Sequence, residues 1–437
     1  MEAWVFTCSD SPLEHWLDGF ETRFDAWEEG GVTGIVVGRM VFRQDDGSTI
    51  PAYAPDPEVY KALGAEVPAP SPRDLQKEKK LQAMLDNAAA RGWRILIFSG
   101  VGSTAHVQDQ MNTFPQVHGV IADGPGENHY ELAFHHGGEL LELRPGEEAR
   151  FGQIGAEIDR LHRGIDHLRQ RLHNLTPELV RYHADGGMLG SLLLFDINED
   201  VLYWLRQRQE RARFDWQYMR NQVDAVDRKV ELGGIPRAVT WSSLTGQNYH
   251  QMAEYFDYIF PKHYFWHRGM DGMYGTISRW VKRLGKWNPT LTEADCFAVV
   301  KALLGIELPG INSLMDMEMG FPDEFFSKVV YNETKRALAA VGDPDKVIAW
   351  VSTGRSPHGG DQMQARDLHG ILSASQQAGL KRFLYHPEPD FGAAEWTIIS
   401  SLCGKQWDED PNGYWPTETD KPGFWDGGRA EPAEGRI

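Results

Sequence analysis

Short apolar runs rich in β-branched and aromatic residues recur along the chain, each followed by a polar or glycine-containing loop and then a stretch with helical spacing. The first is 33–38 (TGIVVG) and the second 94–100 (RILIFSG); the amphipathic stretch 74–91 between them stops at Gly92 and completes a βαβ unit. A third run, 117–123 (VHGVIAD), is followed by a long interruption over 124–198 and a helix over 199–229, which Gly233, Gly234 and Pro236 end. Runs 237–243 (RAVTWSS) and 257–265 (DYIFPKHYF) read as strands four and five, with the helix QNYHQMAEYF between them. Strand six is placed at 306–313, inside an excursion over 266–342. Strands seven and eight are 346–353 (KVIAWVST) and 381–386 (KRFLYH), separated by a helix over 365–378, and AAEWTIISSLC closes the set.

Continuous apolar strands alternating with helices imply a parallel sheet covered on both faces. Eight such units favour an α/β (β/α)8 TIM barrel with long βα-loop insertions over an open doubly wound sheet. One domain over 1–405 is expected, with elaborated loops at about 124–198 and 266–342. The aperiodic tail 406–437 reads as an irregular extension.

Composition changes this picture in three ways. A formal net charge of −19 excludes a general attraction to nucleic acid or an anionic membrane. No apolar run reaches the roughly 18 residues of a membrane span, and Met1 leads straight into Glu2 and Trp4, so a cytoplasmic protein is expected. Cys8, Cys296 and Cys403 are far apart and form no thiolate pair, which fits buried thiols rather than a disulfide framework. The 15 tryptophans exceed the usual complement; most belong in the core, but some could stack on sugar rings.

In a parallel barrel the chemistry gathers where the strands end. The 117–123 strand ends at Asp123-Gly124-Pro125-Gly126-Glu127, the 257–265 strand carries Lys262 and His263 and leads to Trp266 and His267, and Asp316 and Glu318 follow 306–313. Beyond strand seven come Arg355 and His358, and beyond strand eight His386 and Glu388. Hydrolysis of a glycosidic bond needs two carboxyl groups, one donating a proton and one acting as base or nucleophile, and Asp123, Glu127, Glu318 and Glu388 are the candidates. Asp123 also fits a turn-capping role, and Glu318 the polar face of a helix. Lys262, His263, His267, Arg355, His358 and His386 are candidate binders of substrate oxygens, with Trp241 and Trp266 as stacking platforms.

The Asp-Gly step and the segment DYIFPKHY (257–264) resemble the (β/α)8 barrels of glycoside hydrolases. That resemblance implies a carboxylate acid/base after strand four and a nucleophile after strand seven. The strand ends read here are Trp241-Ser242-Ser243 and Thr353-Gly354-Arg355, so the active carboxylates must lie elsewhere or the reaction must differ. The expected protein is therefore a glycosidase acting on a carbohydrate, without cofactor or metal. Homo-oligomer formation is left open. Two alternatives stand beside it: a metal-dependent sugar isomerase or lyase using His263 and His386, and a non-catalytic sugar-binding barrel.

Overall fold

The computed structural model describes residues 1–7, 13–44, 46–126, 141–143, 146–266, 272–352, 365–387, 391–408, 414 and 416. Eight parallel strands form one sheet: β1 (Glu2–Thr7), β2 (Val32–Val37), β3 (Arg94–Ile97), β4 (Gly119–Asp123), β5 (Glu231–Ile235), β6 (Tyr258–Ile259), β7 (Ile348–Ser352) and β8 (Arg382–His386). The hydrogen-bonded order runs β6-β5-β4-β3-β2-β1-β8-β7, and parallel bridges Ile259 to Val347 and Lys262 to Trp350 join its two ends. The sheet thus closes into a barrel.

A helix follows each strand: α1 (Phe20–Glu29), α2 (Leu75–Ala90), α3 (Thr104–Thr113), α4 (Glu199–Asp224), α5 (Tyr249–Tyr255), α6 (Tyr331–Val341), α7 (Ala365–Gln377) and α8 (Ala393–Cys403). Side-chain oxygens start several of them: Asp74 accepts from the Lys77 amide at 3.0 Å before α2, and Ser103 from the His106 amide at 3.2 Å before α3. The long 124–198 connection carries helix Ile158–Leu172, which packs on α4. The 266–342 excursion carries Met273–Trp287 and Glu293–Leu304.

Strand alternation sorts the core into two parts. Ala3, Val5, Ile35, Val37, Ile95 and Val351 face outward into the layer under the helices. Trp4, Phe6, Val36, Leu96, Ile121, Ile235, Phe260, Ile348, Trp350 and Leu384 fill the barrel interior.

The strand count differs from the sequence reading at three places. Glu2–Thr7 is the first strand, and the sequence reading did not include it. The residues 306–313 form no strand, and they lead into the short helix Leu314–Glu318. The fifth strand is Glu231–Ile235, while 237–243 turns into a 3-10 helix (Val239–Trp241) and then the helical turn Ser242–Thr245. Glu333 and the Leu304 carbonyl satisfy the Thr240 amide and hydroxyl at 3.0 and 3.1 Å, which anchors that segment outside the barrel wall.

Gly233 and Gly234 read as a helix stop, yet they are strand residues that make room for large neighbours. A Cβ on Gly233 would lie 2.8 Å from the Phe260 ring and 2.9 Å from Ile121, and one on Gly234 2.8 Å from the Phe256 ring. Gly233→Ala is therefore expected to overpack the interior and cost about 1–3 kcal/mol in a urea titration. An unchanged midpoint would show that Phe260 can give way.

Candidate active site

The inward positions at the C-terminal ends of the strands converge on one mouth. Asp123 closes β4, Lys262 and Tyr264 continue the inward face of β6, and His386 ends β8. Lys262 Nζ lies 2.9 Å from Asp123 Oδ1, with the lysine side chain 4% exposed and the carboxylate 42% exposed. The ammonium also sits 5.7 Å from the centroid of the Trp350 ring. On the other side the Tyr264 hydroxyl is 3.4 Å from His386 Nδ1. Beneath them the rings of Phe6, Phe98 and Trp350 meet at centroid distances of 5.0–6.0 Å and form an aromatic floor.

This is an open carboxylate held by a buried cation over an apolar base. An apolar floor strengthens the pair's field, and 42% of the Asp123 side chain is exposed. Tyr264 was not singled out from the sequence. The signal for it was the two-residue period, which puts it on the same face as Lys262.

Of the residues expected from sequence, Asp123, Lys262 and His386 thus gather at the mouth. Glu318 is exposed on helix Leu314–Glu318, where it accepts a hydrogen bond from the Tyr274 hydroxyl. Its neighbour Asp316 is a cap, accepting from the Ser313 amide at 2.8 Å and the Asn312 amide at 2.9 Å. Glu127, His267, Arg355, His358 and Glu388 lie outside the described residues.

Three expectations are corrected. Trp241 is 0% exposed in the layer under the helices, so its faces are covered by protein. Trp266 is buried too, stacked on Phe326 and edge-on to Phe321. Both rings pack the core and offer no platform to a sugar. His263 falls between the inward Lys262 and Tyr264 and so faces the outer layer, 5.2 Å from the Phe265 ring.

Burial pushes the His263 imidazole down to about 4 from its ordinary 6.5. The unfolded chain therefore binds a proton that the folded chain refuses between those two values. The stability contributed by the neutral buried ring is complete above the unfolded pKa and is lost as pH falls through the folded one. From this group alone, unfolding at pH 5 is expected to cost roughly 2 kcal/mol less than at pH 7. Urea titrations at the two pH values check this, and His263→Phe should flatten that part of the difference.

Correcting the strand count also moves the end of strand four from Trp241 to Asp123. Among the described residues no three histidine, cysteine or acidic side chains converge to hold a metal ion, and no helix is long and apolar enough to cross a membrane.

No protein-family model matches the chain, and no curated protein matches it in sequence. Among solved structures it is similar to the PgaB (BpsB) glycoside hydrolase domain from Bordetella bronchiseptica, at 11% identity and TM-score 0.39, over 89% of this chain and 94% of that one. It is also similar to a β-galactosidase from the psychrophilic Marinomonas ef1, at 10% identity and TM-score 0.43, over 92% of this chain and 59% of that one. An HpcH/HpaI aldolase from Desulfitobacterium hafniense DCB-2 is similar at 8% identity and TM-score 0.30, over 89% of this chain and 86% of that one. Likenesses this distant carry no argument about activity, which rests on the chain's own residues.

Proposed function

We propose that the protein hydrolyses a glycosidic bond, with Asp123 as one of its two catalytic carboxylates. The observation that carries this reading is the exposed Asp123 carboxylate held 2.9 Å from buried Lys262 at the barrel mouth. An ion-paired carboxylate suits the role of base or nucleophile, attacking the anomeric carbon or taking a proton from the water that does. A second carboxyl group then protonates the departing glycosidic oxygen. Glu127 and Glu388 are its candidates because they follow Asp123 and His386 closely in the chain, and Glu318 is the third. Lys262, Tyr264 and His386 bind and orient sugar hydroxyls in this scheme.

The metal-dependent isomerase or lyase alternative is weakened because His263 and His386 face opposite sides of the barrel wall. The test is release of reducing sugar from a panel of simple alkyl and aryl glycosides by the full chain, repeated with Glu127→Gln, Glu318→Gln and Glu388→Gln. One of the three is expected to abolish release. Turnover undiminished in all three overturns the carboxylate pair. Saturable sugar binding without release from any glycoside replaces hydrolysis with binding alone.

A further inference from the structure

Beside Asp123 the barrel mouth opens into a cavity of about 520 Å³ between the Val41–Arg43/Thr49–Pro51 hairpin, the loop that follows it and α3. Its walls are mostly apolar and aromatic, with Met40, Tyr53, Tyr60, Phe98 and Ile121 and prolines from the hairpin side, while Arg39, Ser99, His106, Gln110 and Asp123 add polar groups. Several of these polar groups already have partners. Gln110 Oε1 accepts from Ser99 Oγ at 3.1 Å, and Asp123 is paired with Lys262 at 2.9 Å. Burial lowers the His106 pKa, which favours the neutral ring, with one nitrogen donating and the other accepting.

A sugar ring needs a partner for each of its hydroxyls, and the larger part of this wall offers apolar contact instead. A cavity of roughly 150 Å³ holds one benzene ring, so this volume accommodates a group of two or three fused or linked rings. The wall is also set in advance of any ligand. Asp109, fully buried on α3, accepts the Asp56 amide at 3.0 Å, which ties the segment between Tyr53 and Tyr60 to α3.

We propose that this cavity is a subsite for an aromatic, apolar substituent of the substrate, with Asp123 at the junction between that substituent and the group that reacts. The proposal rests on the glycosidase reading only for its second half: the ring-bearing part is then the aglycone of an aryl glycoside. The reaction splits the bond between sugar and aglycone, with water adding hydroxyl to the sugar and hydrogen to the departing phenolic oxygen.

The test uses 2-naphthol as the probe on the full chain, with binding followed by titration calorimetry. Saturable binding to the wild-type chain is expected, weakened at least tenfold by Val41→Trp, which fills the cavity from the hairpin. Pro51→Trp enters from the paired strand and serves if the first variant does not fold; Val41→Ala should keep binding. Absence of saturable binding, or equal binding by both tryptophan variants, overturns the subsite. The two readings fail separately. Naphthol binding blocked by tryptophan, with no glycoside turned over, leaves the subsite and removes the glycosidase. Turnover of methyl glycosides with no naphthol binding does the reverse.

Discussion

Asp123→Asn is expected to lower kcat/KM on a hydrolysed glycoside by about 10²–10⁴-fold, the range that a positioned acid or base contributes. The substitution keeps the shape of the side chain and an oxygen able to accept from Lys262, so the geometry of the mouth survives. What it removes is the charge that attacks or abstracts. Because 42% of the Asp123 side chain is exposed, its part in folding is screened by water, and the stability change should stay small beside the catalytic one. Lys262→Met gives the contrasting result. It removes a 4% exposed ammonium and leaves an apolar side chain of similar length over Trp350, so the fold should tolerate it. Activity should still fall, because the carboxylate loses the partner that fixes its position. Steady-state kinetics beside urea titrations separate the two effects. Full turnover by Asp123→Asn would reduce Asp123 to a structural partner of Lys262 and overturn its catalytic role.

The barrel was legible in the chain because its strands are continuous apolar runs, and six of the eight sequence strands overlap observed ones. The other two were displaced for local physical reasons. Glu2–Thr7 carries only the short run AWVF between Glu2 and Thr7, too brief to separate a strand from a loop by pattern alone. Glu231–Ile235 has only two large apolar side chains, since Gly233 and Gly234 yield their space to Phe260 and Phe256, and a glycine pair after a helix looks like a terminator. The apolar stretch that follows was then taken for the strand itself. One consequence reached the site: counting from the wrong first strand put Asp123 on strand three and Trp241 on strand four. Asp123, Lys262 and His386 nonetheless lie where the sequence placed them, at or just beyond strand ends, because strand ends are recognisable whatever number they bear. The facing of Trp241, Trp266 and His263 was not recoverable from sequence, since a one-residue change of register or an unforeseen turn reverses which side a residue presents.

Trp350→Ala is expected to destabilise the chain by about 3–5 kcal/mol, the cost of emptying a large aromatic site in a packed core. The ring occupies the barrel interior within 5.0–6.0 Å of Phe6, Phe98, Tyr264 and His386, so four aromatic partners lose their contact at once. Its backbone matters as much. The Trp350 amide donates to the Pro261 carbonyl and its carbonyl accepts from the His263 amide, both at 2.8 Å, and this pairing joins β7 to the two-residue strand β6. Loss of the ring therefore loosens packing at the seam where the sheet closes. Lys262 sits over that ring, so the variant should also lose activity even at temperatures where it stays folded. Trp350→Phe separates volume from aromaticity. It keeps a ring under Lys262 and removes an indole N–H that has no acceptor among the described residues, so it should cost markedly less than the alanine variant. Equal losses for alanine and phenylalanine would mean that the barrel interior requires the full bulk of the indole, which a phenyl ring does not supply.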